Sequence, residues 1–149
     1  MPLKKLVSVI VPAHNEEGNI TVLTDHINEI FRNTPYVCEL IFVDDGSEDN
    51  TLNEIKLNAQ INSNVYYIEL ARNFGKDYAL KAGISLAKGD AVITIDADMQ
   101  HPPHLIKRML NYWEDGFDIV YTYREEVNRH ARFYQRFTSK LFYRVINAL

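Results

Sequence analysis

The sequence predicts an α/β domain, a three-layer α/β/α sandwich built around a mainly parallel sheet. Three observations predict it. Runs of β-branched residues alternate with segments whose apolar residues recur at helical spacing. The strand candidates are apolar throughout instead of alternating, as strands covered on both faces are. Polar, chemistry-bearing residues collect after four successive strands, "HNEE", "DDGS", "RNFGK" and "DADMQH", where open α/β sheets bind ligands.

Taken in order, Leu6–Val11 is a β-branched run closed by Pro12. Ile20, Leu23, Ile27, Ile30 and Phe31 then repeat at helical spacing. Glu39–Val43, "ELIFV", is a second strand, ended by the turn composition "DDGS". Leu52, Ile55, Leu57 and Ile61 mark a looser helical stripe over Thr51–Ile61. Val65–Leu70 is a third strand, in which Tyr66 and Tyr67 read as strand packing. Tyr78–Ala87 reads as a helix with Leu80, Ile84 and Ala87 on one face, and Gly89-Asp90 turns the chain into a fourth strand, Ala91–Ile95. Leu105–Trp113 is a helix with Trp113 in its core stripe. Pro102 and Pro103 stand at its start, where missing N–H groups cost least. Phe117–Tyr121 is expected as a fifth strand. From Glu125 to Leu149 the composition changes: Arg129, Arg132, Arg136, Lys140 and Arg144 interleave with aromatic and aliphatic residues, as in a basic amphipathic helix.

The bulk numbers set bounds. The 149 residues suffice for one domain and one sizeable core. A hydrophobic content of 46% and a charged content of 24% are those of a soluble globular protein. A net charge of −4 argues against a nucleic-acid binder. The single cysteine, Cys38, excludes an internal disulfide and reads as a buried structural thiol. No apolar stretch reaches the ~18 residues of a membrane span. Two lysines precede an apolar stretch at the N-terminus, as in a signal peptide. That stretch covers only Leu6 to Pro12 and no small-residue cleavage site follows, so it reads as a strand and a cytoplasmic location is expected.

The segment "VITIDADMQHPP", residues 92–103, carries the sharpest chemistry. Asp96 ends a strand and Asp98 follows beyond Ala97, so two carboxylates repel unless a cation lies near them. A hard divalent ion takes one or two carboxylates and leaves its other positions to water and phosphate, and Gln100 adds a neutral oxygen. Asp-x-Asp alone also fits a helix cap or a solvated acidic turn. Asp44, at the end of an apolar run, could accept hydrogen bonds from a base or a ribose hydroxyl, whereas Ser47 or Asp49 would cap the next helix. No P-loop and no G-x-G-x-x-G exists here, so phosphate must be held through metal and bases such as Arg72 and Lys76, which equally fit ordinary surface charge. His14, His101 and His104 match no zinc spacing and read as polar loop residues.

The stretches "VSVIVPAHNEEGNI", "ELIFVDDGSEDNT", "ELARNFGKDYALKAGISLAKGD" and "VITIDADMQHPP", in this order, resemble the family 2 inverting glycosyltransferases of the GT-A fold. Within them the chain is most similar to the polyprenyl-phosphate glycosyltransferases, the group of dolichyl-phosphate mannose synthases and bactoprenol glucosyltransferases. The resemblance runs from about Val7 to the end, and implies a catalytic domain over 1–124 and a juxtamembrane, acceptor-side segment over 125–149.

The resemblance also implies roles. Pro12, Ala13, Asn15 and Glu16 would line the nucleotide pocket, and Asp44 would meet the base or ribose with Asp45 beside it. Lys76, Asp96 and Ala97 would lie near the nucleotide. Asp98 and Gln100 would hold Mg²⁺ or Mn²⁺ bridging the diphosphate, while Arg124, and Arg136 with Ser139, would receive the acceptor phosphate. Asp98 and Arg124 are then the catalytic candidates. The implied donor is a UDP- or GDP-sugar and the implied acceptor a polyprenyl phosphate at the cytoplasmic membrane face, with a homo-oligomer left open. Because a lipid monophosphate is already ionised, such a transfer needs no strong general base. Two alternatives stand beside it: transfer to a saccharide hydroxyl, for which Glu125 or Glu126 would be the base, and a donor-binding module without turnover. Relatives of this kind continue into membrane-spanning helices, a stretch this sequence lacks, so a truncated or short form is expected.

Overall fold

The computed structural model describes residues 4–98 and 104–122. Residues up to Phe117 form one compact unit, and it holds every described helix and strand. In chain order these are β1 (Leu6–Ala13), α1 (Asn19–Arg32), β2 (Val37–Asp44), α2 (Thr51–Ile61), β3 (Val65–Glu69), α3 (Lys76–Leu86), β4 (Ala91–Thr94) and α4 (Leu105–Glu114). The sheet is parallel throughout, with strand order β3-β2-β1-β4. The chain therefore steps outward from β1 to β3 and then returns to the other side of β1. That reversal makes the gap between the carboxyl ends of β1 and β4 the switch point of the fold.

Alternation along β1 explains the layers. Val7, Val9 and Val11 point to one face, where they join Leu23 and Ile27 of α1, Ile55 of α2, and Ile106 and Leu110 of α4 in one core cluster. Ile10 points to the other face, where Ile41, Val43 and Ala79 of α3 form a smaller cluster. α3 lies close because Gly83 faces the sheet: a Cβ there would stand 2.4 Å from Cγ2 of Ile10. The expected α3 stripe is thus corrected. Ala79 and Gly83 are buried, while Ile84 is exposed, because small residues allow the close approach. α2 is corrected likewise: Thr51, Ile55 and Asn58 face inward, whereas Leu57 and Ile61 are exposed. The Asn58 amide is satisfied there, donating to Thr21 Oγ1 and to the Glu54 carbonyl. Tyr66 and Tyr67 are also exposed, since β3 is an edge strand. Cys38 is buried as expected, and burial, then the neighbouring Glu39 charge, pushes its thiol up to about 12.

The fifth strand is not formed: residues 117–122 have no ladder partner among the described residues. Phe117 closes α4 instead. Gly116, at φ +96°, donates its N–H to the Trp113 carbonyl, and Phe117 donates to that of Tyr112. The Phe117 and Tyr112 rings meet edge to face, 5.9 Å apart. This is a Schellman cap with its usual apolar contact, and it uses the residue on which the strand reading depended.

Candidate functional site

Pro12 sits inside β1, where a missing N–H would ordinarily cost a ladder bond. Even-numbered residues of β1 face β4: Leu6 accepts from Asp90, and Ile10 accepts from Ile95. Pro12 is next in that set, but β4 pairs with β1 only as far as Thr94 opposite Ile10. The missing donor therefore falls where the two strands part. A cavity of about 310 Å³ opens there, lined by Pro12 and Ala13 at the end of β1, His14 and Glu16 after it, Asp45 after β2, Asn73, Gly75 and Lys76 after β3, and Asp96, Ala97 and Asp98 after β4. All four strand ends singled out in the sequence meet on it.

The loops around this cavity are joined by side chains that bond to main chain. Successive N–H groups of the β1–α1 loop donate to residues at the start of α2: Asn15 to Ser47 Oγ (3.0 Å), Glu16 to Thr51 Oγ1 (2.7 Å), Glu17 to Asp49 Oδ2 (3.1 Å) and Gly18 to Glu54 Oε1 (3.0 Å). The expected capping by Ser47 or Asp49 is corrected: Asn50 stands at the N-cap of α2 without a side-chain cap bond, Asp49 one residue earlier accepts the Thr51 N–H at 3.0 Å as an Asx turn, and Ser47 serves the neighbouring loop. Burial would raise the Asp49 carboxyl, but the Thr51 hydroxyl and the Thr51 and Glu17 amides outweigh it and hold the group below its ordinary value.

Asp45 joins the second loop to the third. Its carboxylate is buried and accepts the N–H groups of Phe74 (2.8 Å) and Gly75 (2.9 Å). Gly46 makes this approach feasible: its φ is +67°, and a Cβ would stand 2.4 Å from the Arg72 carbonyl carbon. Asp44 is also buried. Its Oδ2 accepts the Ser47 N–H at 3.2 Å, while its Oδ1 has no hydrogen-bond partner among the described residues.

On the opposite wall Lys76 Nζ lies 2.6 Å from Asp96 Oδ1. Lys76 is the first residue of α3, after Gly75 at φ +98°. An ammonium group and a helix N-terminus thus face a wall bearing two carboxylates, Asp96 and Asp98. Hard oxygen donors of this kind suit a divalent cation that shares its coordination sphere with phosphate. Among the described residues no group of three or more His, Cys, Asp or Glu side chains is arranged to hold a metal ion.

Of the residues proposed from sequence, Pro12, Ala13, Glu16, Asp45, Lys76, Asp96, Ala97 and Asp98 line one cavity. Asn15 and Asp44 do not line it. Asn15 accepts the Glu48 N–H through Oδ1 at 2.8 Å, in the seam between loops. Arg72 stacks on Phe74, 4.6 Å from its ring centre, and is likewise not on the lining. Gln100, His101, Arg124, Glu125, Glu126, Arg136 and Ser139 lie outside the described residues, as does the segment 125–149. His14, Asn73 and Gly75 are lining residues that sequence reasoning did not place in the site. The signal for Asn73 and Gly75 was their position in the third strand-end cluster.

Among the described residues no helix is long and apolar enough to cross a membrane. Residues 8–148 match the family described as Glycosyl transferase family 2. An undecaprenyl-phosphate 4-deoxy-4-formamido-L-arabinose transferase of Proteus mirabilis is 40% identical over 96% of this chain and 42% of its own length. A bactoprenol glucosyl transferase of Shigella phage SfV is 37% identical over 96% of this chain and 46% of its own. The chain thus spans less than half the length of these relatives. A mannosyltransferase of Pyrobaculum calidifontis, solved with GDP-Man and Mn²⁺, superposes with a TM-score of 0.65 at 26% identity, covering 77% of this chain and 34% of its own. With a parallel sheet, a cavity at its switch point and a family match over nearly its whole length, the chain belongs to glycosyl transferase family 2.

Proposed function

We propose that this chain carries the donor-binding half of a metal-dependent inverting transferase that moves a sugar from a nucleoside-diphosphate sugar to a polyprenyl phosphate. The observation that carries the reading is the convergence of Lys76, Asp96 and Asp98 on one cavity at the switch point. The names of the Proteus and phage relatives support the acceptor, and the GDP-Man and Mn²⁺ of the Pyrobaculum enzyme support the donor class and a divalent cation.

The residues divide the work by charge. Lys76 and the N-terminus of α3, both on the cavity lining, would meet the diphosphate. Asp98, with Gln100 two residues on and Asp96 beside them, would hold Mg²⁺ or Mn²⁺, which when bound supplies Lewis-acid stabilisation of the leaving diphosphate. Asp44 would meet the base or ribose only if the end of β2 opened, because the residue is buried and off the cavity lining. The acceptor oxygen arrives ionised, so no base is required of the chain, and attack opposite the departing diphosphate inverts the sugar. Arg124, and Arg136 with Ser139, would receive the acceptor phosphate at the membrane face, their basic, aromatic segment lying against lipid headgroups. Titration calorimetry of UDP and GDP, with and without Mn²⁺, tests this. Binding should tighten with Mn²⁺, and Asp98→Ala should abolish that gain while leaving the fold intact. Equal affinity with and without Mn²⁺ would remove the metal from the account.

A further inference from the structure

The strand-end motifs explain most of the cavity wall, but they leave His14 unassigned. Its ring lies where three loops meet. Nδ1 stands 2.9 Å from the Asp45 carbonyl oxygen, and Nε2 stands 3.0 Å from Asn73 Nδ2. The Asn15 amide nitrogen lies 3.4 Å from the same Nε2. A carbonyl oxygen only accepts, so Nδ1 carries the proton. Asn73 Nδ2 donates, so Nε2 must present its lone pair. The contacts therefore select one neutral tautomer. Asp45, whose carbonyl receives the ring, is also the residue whose carboxylate clamps the Phe74 and Gly75 amides. His14 fastens Asn73, just before that clamp, and Lys76 follows just after it.

We propose that His14 is a positioning residue of the donor cavity: as its Nδ1–H tautomer it pins Asn73, and through it the Asn73–Lys76 wall, to the ends of β1 and β2. The ligand consequence rests on the reading of this cavity as a nucleoside-diphosphate site. The charged side chains lining the same cavity are Glu16, Asp45, Lys76, Asp96 and Asp98, and none of them is needed to satisfy the ring.

Replacement side chains separate the two ring nitrogens. Asn at position 14 reaches about as far as Nδ1 and can keep the bond to Asp45, while Gln reaches about as far as Nε2 and can keep the bond to Asn73. Two measurements need no ligand. Imidazole ¹⁵N spectra of the whole chain should show the His14 proton on Nδ1; a proton on Nε2 overturns the proposal. Amide exchange at Phe74 and Gly75 should quicken about tenfold in His14→Asn and in His14→Ala, and stay within about threefold of the unaltered chain in His14→Gln. Protection kept in His14→Asn but lost in His14→Gln would overturn it too. With UDP and Mn²⁺ as the probe, His14→Asn should bind about tenfold more weakly and His14→Gln nearly normally. The double variant His14→Ala/Asn73→Ala should be no weaker than its weaker parent, and additive losses would refute the coupling. Failure of the unaltered chain to bind UDP or GDP would sink the proposed function, while the spectra and the exchange rates would still decide the role of His14.

Discussion

Asp45→Asn separates a ligand-binding role from an architectural one. In the folded chain the two carboxylate oxygens of Asp45 accept separate backbone N–H groups, from Phe74 at 2.8 Å and Gly75 at 2.9 Å, and the residue is 3% exposed. The amide of asparagine keeps one acceptor and replaces the other with an NH₂ group aimed at an N–H. One charge-assisted bond is lost, at about 1.5–3 kcal/mol, and the surviving one weakens because its acceptor is no longer ionised. The expected loss of stability is about 2–3 kcal/mol. Urea unfolding followed by circular dichroism, without any nucleotide, is the assay. The midpoint should fall with an unchanged slope. If the variant were within about 0.5 kcal/mol of the parent, as surface substitutions commonly are, the clamp would be wrong and Asp45 would act on the ligand alone.

Two further substitutions test other parts of the structure. The Asp49 carboxyl is held below its ordinary value, so its contribution to stability is present above the unfolded carboxylate range and is lost as pH falls through the folded value. Melting temperature should therefore drop more steeply below about pH 4 in the parent than in Asp49→Asn, and parallel curves would contradict the bonds from Thr51 and Glu17. Gly83→Ala should cost about 1–2 kcal/mol despite the better helix propensity of alanine, because its Cβ would stand 2.4 Å from Cγ2 of the fully buried Ile10 and 3.1 Å from Cγ2 of Val43. Unchanged or raised stability in urea would show that α3 does not lie as close to the sheet as described.

The legible parts of this fold were those written in periodicity and punctuation. Every described strand and helix was expected within a few residues of its place, because a continuous apolar run, a turn composition or a helical stripe marks each one locally. What was illegible depends on partners far along the chain. α2 turns Thr51 and Asn58 inward, which no hydropathy pattern announces, since Asn58 is satisfied by Thr21, 37 residues earlier. Glu39 is buried in β2 because Ser8 Oγ donates to it, as does the Lys88 N–H at 2.6 Å. Phe117–Tyr121 has strand-like composition, yet the Gly116 turn uses Phe117 as a helix cap.

The same distinction separates the two aspartate pairs. In sequence, Asp44-Asp45 and Asp96-Ala97-Asp98 look alike: each ends an apolar run with neighbouring carboxylates. Asp45 spends both oxygens on backbone amides of the next loop, and those bonds offset its charge without a cation. Asp96 and Asp98 instead line a cavity that Lys76, the first residue of α3, also lines, and Lys76 Nζ pairs with Asp96. The ion pair at 2.6 Å is half exposed on the lysine side, so it is worth little as a structural link, about 1 kcal/mol or less. Pro12, by leaving β1 unpaired on the β4 side, keeps the cavity beside Asp96 and Asp98 open.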